Sequence, residues 1–203
     1  MSRLNRTLVF LAATLPSVAL ASTWNIDAAH SSSGFSVKHL VITTVRGAFG
    51  KTTGVLNLDE QDVSKSSVEA TIDTTTVDTR VPDRDKHLKS PDFFDVAKYP
   101  TITFKSTRVE RLAKDKLKVT GNLTMKGVTK PVTLEVLGPT DPITGPGGES
   151  RRAISATTRL NRQEFGLTWS KMVEAGPMVG DNVDVQLDLE LVKGDAPKQE
   201  AQK

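Results

Sequence analysis

From Lys116 to Met125 apolar and polar side chains alternate: Leu117, Val119, Leu123 and Met125 share one face, and Lys116, Lys118, Thr120, Asn122 and Thr124 the other. Val183, Val185, Leu187, Leu189 and Leu191 alternate in the same way with Asp184, Gln186, Asp188 and Glu190. Successive side chains on a strand point to opposite faces, so a period of two marks a strand with one buried and one wet face. The pattern returns along most of the chain. Trp24 and Ile26 share a face in residues 23–27, followed by Phe35, Val37, His39 and Val41 against Ser36, Lys38 and Leu40, and then by Val45, Gly47 and Phe49. Residues 55–58 follow, then Val68, Ala70 and Ile72, then Ile102, Phe104 and Ser106, then Val132, Leu134 and Val136, and then Ile154, Ala156, Thr158 and Leu160.

Turn signals separate these runs. Asp27 is placed to cap a turn at residues 28–31, Gly50 and Gly54 bracket another, residues 126–130 form a turn into the next strand, and the Gly/Pro-rich residues 138–150 form an exposed loop. Residues 60–65 read as a polar loop and 170–180 as a looser region, and residues 79–100 break the rhythm as the one helical region. Pro82 can open a helix over residues 83–88, with acids early and bases late as the helix dipole favours, and a further helical turn is expected over residues 93–97 before Tyr99-Pro100. An all-β barrel or sandwich is the economical architecture, and strands of eight or more residues with one continuously apolar face favour an antiparallel barrel. A barrel of about eight strands either fills with side chains or holds one small ligand. Gly47 and Gly121 fall on the inward pattern, where they leave space.

Residues 1–21 carry Arg3 and Arg6, an apolar run from Leu8 to Leu20 and Ala19-Leu20-Ala21 before Ser22, the pattern of a secretory signal peptide cut after Ala21. The run is too short and too interrupted to span a bilayer, and no transmembrane segment is expected in the mature chain. Removing Arg3 and Arg6 from 27 basic residues leaves 25 against 24 acidic ones, so the basic isoelectric point is no sign of nucleic-acid binding, and no basic stripe interleaved with aromatics is present. Without cysteine the exported chain has no disulfide and no thiolate for catalysis or metal binding. Residues 194–203 read as a disordered polar tail.

The motifs that carry chemistry fail on spacing. Gly50-Lys51-Thr52 lacks the glycine five positions earlier that a phosphate loop needs, because residue 45 is valine, and no Gly-x-Ser-x-Gly elbow surrounds Ser31 beside His30. His30, His39 and His87 have no ligand spacing, and Asp181 to Asp184 lack the calcium-loop pattern, so no metal is expected. His39 and Arg46 carry two readings. One is a hydrogen-bonded core histidine with an arginine on the rim. The other is a polar or anionic head group held by imidazole and guanidinium while its tail lies on Phe35, Val37 and Phe49, with Lys86 and His87 closing the same mouth.

Residues 30–39 ending in VKHL, Arg46-Gly47-Ala48-Phe49, LKSPDFFDVAKYPTITFKS from Leu88 to Ser106, GNLTMKGVTKPV from Gly121 to Val132 and LNRQEFGL from Leu160 to Leu167 together resemble the YceI-like family of bacterial periplasmic proteins. The resemblance covers almost the whole chain after the leader, as one domain over residues 22–193. It implies an antiparallel lipocalin-like β-barrel with a short helical segment between strands and a long hydrophobic pore for a polyisoprenoid or fatty-acyl amphiphile. By similarity the pore is lined from Phe35, Val37, Phe49, Phe94, Phe104 and Phe165, with His39, Arg46 and His87 near a polar head. Family members often form dimers, so a homodimer is expected too. The expectation is a periplasmic carrier with no catalytic residues, no metal and no cofactor beyond its isoprenoid-like ligand. The alternatives are a packed barrel serving as an envelope interaction scaffold, and an enzyme using His39 or His87 as acid/base, for which a second reactive group is lacking.

Overall fold

Strands with one apolar face must pair at both edges and bury that face, and a sheet closed on itself does both. The computed structural model describes residues 21–174 and 176–194, so the expected leader and polar tail lie, but for Ala21 and Gly194, outside the described residues. Its strands are β1 (Ser22–Ile26), β2 (Ser32–His39), β3 (Thr43–Phe49), β4 (Thr52–Leu58), β5 (Ser67–Asp73), β6 (Val77–Asp78), β7 (Thr101–Ala113), β8 (Lys116–Met125), β9 (Val128–Leu137), β10 (Ile143–Thr144), β11 (Ser150–Asn161), β12 (Met172–Val173), β13 (Gly176–Pro177) and β14 (Val179–Lys193), with the helix α1 (Pro82–Lys89) between β6 and β7. The sheet runs β11-β9-β8-β7-β5-β4-β1-β14, and β14 pairs back onto β11, closing an antiparallel barrel of eight strands.

Three positions in the wall are shared by two strands in succession. β14 pairs with β1 near its end, Ile26 opposite Leu191, and with β2 earlier, Ser32 opposite Asp188. β3 continues the line of β4 and β6 that of β5, since β2 pairs with β3 and β3 with β6. Two of the breaks have a local cause. Asp27 accepts the N–H of Ala29 and Asp73 that of Thr75, each opening a 3-10 turn in mid-strand. Past β6 the wall is completed by α1 and the turns of residues 91–99.

Residues 93–97 do not form the expected helical turn. Phe93 and Phe94 are both buried, and the chain bends to bury both, with Asp95 in the left-handed region at φ 50°. The turn into β9 is also shorter than expected: Lys126 and Gly127 alone make it, at φ 49° and 76°, the pattern of a two-residue hairpin, so residues 128–130 already belong to β9. The loop at 138–150 is largely exposed, with β10 pairing briefly onto β11. Nor do Gly47 and Gly121 leave empty space. A Cβ at Gly47 would collide with the Phe35 ring and one at Gly121 with the Phe104 ring, so each glycine seats an aromatic from the neighbouring strand.

Two apolar clusters pack inside the barrel. One holds Trp24, Ile26, Leu58, Leu117 and Leu191, and the other, at the α1 end, holds Phe49, Val77, Phe93, Phe94, Ile102 and Phe165. Each large side chain so buried contributes roughly 1.5–3 kcal/mol, which is how a chain without disulfides stays closed.

Candidate functional site

The barrel interior is not filled. A cavity of about 540 Å³ runs between the clusters, in the range of small-molecule sites, and its wall is almost wholly apolar. Val37 and Val185 line it near the α1 end, Leu56, Ala70 and Leu187 further in, and Leu117, Val136 and Leu189 at the far end. A buried polar pair, the hydroxyls of Ser33 and Thr52 2.7 Å apart, interrupts the wall where β2 and β4 begin. Beyond the far end Trp24 (2% exposed) and Leu191 (0%) form a plug, with the Arg152 guanidinium over the Trp24 ring at 4.9 Å.

The ionisable groups of the wall gather at the other end: Lys38 and His39 from the last residues of β2, Asp83, Arg84 and His87 from α1, and Arg162 from the turn after β11. His87 Nε2 lies 2.8 Å from Asp92 Oδ2, and its ring stands edge-on to Phe93 and Trp169, with ring centres 5.0 and 4.8 Å away. Arg84 donates to the hydroxyl and carbonyl of Thr79, whose N–H and hydroxyl are held by Asp85. Arg162 is buried; it donates to the carbonyls of Gly180, Leu167, Trp169 and Val179 and to the Asp181 carboxylate, 3.2 Å away. Burial lowers the Arg162 pKa from its usual value, with Asp181 opposing the shift.

Of the residues singled out from the sequence, Phe35, Val37, Phe49, Phe94 and Phe104 line the cavity, as do His39 and His87. Two stand elsewhere. Phe165 is 2% exposed and packs within the α1-end cluster behind the wall. Arg46 is exposed and sits opposite Ser36, while Phe35 and Val37 face Gly47 and Val45, so the pleat turns Arg46 to the outer surface, away from any head group inside. The sequence did not point to Lys38, Arg84, Arg162 or Trp169. Lys38 is exposed on the Ser36 face and borders the cavity only at its mouth, where β2 ends. Arg162 and Trp169 sit outside the strands, where no periodicity could mark them.

One cluster lies outside the cavity. Carboxylate and imidazole atoms of Asp27, His30 and Glu190 all come within 4.8 Å of one another. Arg151 already bridges the carboxylates, 2.8 Å from Asp27 Oδ2, in contact with Glu190 and 2.6 Å from Glu149, so the guanidinium supplies the countercharge a cation would bring. Hydrogen bonds from His30 and then Arg151 hold the Asp27 carboxyl down at about 2, and the three carboxylates raise the Arg151 pKa.

A closed antiparallel barrel around an apolar cavity, with the ionisable groups of its wall at one end, is the architecture of the small-ligand-holding barrels. Residues 24–191 match the YceI-like domain, and the chain belongs to that family. It is 38% identical to a UPF0312 protein of Vibrio parahaemolyticus over 189 residues, 90% of this chain and 94% of that one, and 40% identical to Protein YceI of Salmonella newport over 154 residues, 74% and 78% of the two chains. The YCEI protein of Campylobacter jejuni superposes with a TM-score of 0.67 at 28% identity, covering 78% of this chain and 90% of the other. A polyisoprenoid binding domain from Saccharophagus degradans shares the fold, with a TM-score of 0.60 at 17% identity over 86% and 99% of the two chains.

Proposed function

We propose that the protein is a non-enzymatic carrier that holds one long-chain amphiphile, of polyisoprenoid or fatty-acyl type, inside the barrel. The observation that carries this reading is the sorting of the cavity wall into an apolar shaft and an ionisable rim at one end only. A tail in the shaft and a polar head among Lys38, His39, Arg84 and His87 satisfy both parts. The fold shared with a domain described as polyisoprenoid-binding supports the same ligand class. The leader-like residues 1–21 support a periplasmic location.

Magnitudes favour the tail over the head. If a methylene group takes up about the 30 Å³ of a water molecule in the liquid, the cavity holds on the order of 18 such groups. At about 0.8 kcal/mol per buried CH2 even half of that outweighs one charged hydrogen bond at roughly 1.5–3 kcal/mol. Chloroform extraction of the purified protein followed by mass spectrometry tests the reading, with a stoichiometric lipid expected and an empty barrel as the contrary result. Phe35→Asp should then lose ligand more completely than His39→Ala, since the first places a charge in the shaft and the second removes one rim contact.

A further inference from the structure

Beside the rim two hairpin tips meet. The β2–β3 turn, residues 40–42, holds Leu40 and Val41 at φ 51° and 65°, a region that a β-branched residue rarely adopts. The β12–β13 hairpin packs against it: Leu40 N–H donates to the Met178 carbonyl at 3.0 Å, and Val41 lies next to Gly176. Together the tips hold out Val41 (55% exposed), Ile42 (76%) and Met172 (77%). Lys38 and Lys171 flank them, both exposed, with Glu174 at the tip of the second hairpin. Met178 and Val179, which follow this hairpin, line the cavity with Lys38 and His39, so the apolar tips border its ionisable end.

We propose that these tips dock the mouth onto the surface of a lipid bilayer, the source from which the cavity is loaded. This inference rests on the carrier reading, because a cavity ligand that resides in membranes is what makes a bilayer the occupant rather than a protein. The shape agrees: the β2–β3 turn ends in exposed aliphatic side chains, with the exposed Met172 on the hairpin beside it, which suits shallow insertion among head groups, and residues 40–42 and 172–173 carry none of the aromatic or arginine anchors of protein interfaces. The flanking lysines attract anionic lipid, each to a modest degree that salt weakens. Loading at the membrane then exposes little of the ligand's tail to water.

Co-sedimentation with vesicles of mixed phosphatidylethanolamine and phosphatidylglycerol tests this on the protein alone, whether or not its cavity holds lipid. The parent should sediment with the vesicles, and the double variant Ile42→Asp, Met172→Asp should partition about 100-fold more weakly, since each side chain withdrawn from the bilayer is worth roughly tenfold. Both positions lie outside the cavity wall, so lipid extracted from the double variant after expression should match the parent in identity. Leu112→Asp with Leu137→Asp, exposed leucines at the far end of the barrel, should leave partitioning unchanged. A parent that ignores vesicles, or a double variant that binds them as the parent does, overturns the proposal. So does a parent that light scattering shows to be a dimer and the double variant a monomer, with no vesicle binding by either, because the tips are then a subunit interface. An empty barrel on extraction with intact vesicle binding instead removes the carrier reading alone.

Discussion

Single side chains set the mouth. Arg162 spends its donors on four carbonyls and a carboxylate, tying the turn after β11 and the segment through Trp169 to the start of β14. Lysine has three donors on one atom and cannot reproduce that fork. Arg162→Lys should therefore cost about 3 kcal/mol, read from urea unfolding midpoints, because buried acceptors lose their partners. Asp27 gives a pH-dependent case. Its carboxyl is held at about 2 in the folded chain against an ordinary 3.8, so its contribution is fully present above 3.8 and is lost as pH falls through about 2. Asp27→Asn should remove that part of the acid sensitivity, visible when the stability difference from the parent shrinks across this window in urea titrations. Alternation in the sequence placed Phe35, Val37 and His39 on the inner face correctly. The same alternation, applied through Val45, Gly47 and Phe49, puts Arg46 outside, so a head-group role for it conflicted with a pattern already visible. Arg162 had no such signal, because a turn residue has no period and its acceptors are backbone groups from distant segments.

Strands were legible because each carries its own two-residue period. Their order was not: alternation states which face is buried and leaves open which neighbour lies at each edge. Thus β14 serves β1, β2 and β11 at once, a pairing that no local pattern announces. The broken strands were legible only in part. Asp27 is legible as a cap, whereas the 3-10 turn at residues 74–76 lies hidden in a threonine run. The inward glycines show how one strand shapes the next. A Cβ at Gly121 would meet the Phe104 ring and the Lys105 carbonyl, and backbone cannot rotate away as a side chain can. Gly121→Val should lower stability by about 1–3 kcal/mol, the usual range for overpacking. It should also push the Phe104 ring toward the cavity, so that the variant retains shorter chains than the parent in extraction and mass spectrometry.

At the scale of the whole molecule, the apolar shaft, its plugged far end and its ionisable rim form one continuous interior, and in the proposed carrier its depth would measure the tail and its rim would meet the head. The cavity itself was only an expectation from the sequence, since alternation fits a filled barrel as well as a hollow one. What separates them is the fit of specific rings and branched side chains across the interior, a property of eight strands together. The pairing of β1 with β14 carries a consequence in time. The stave that closes the barrel is the last strand of the described chain, so a chain lacking residues 183–194 has two open edges and no enclosed interior. Native contacts then join residues far apart in sequence, and such high contact order places refolding on the scale of about milliseconds to seconds. Until that stave docks there is no enclosed interior, so in the proposed carrier capture could not precede the synthesis and docking of β14.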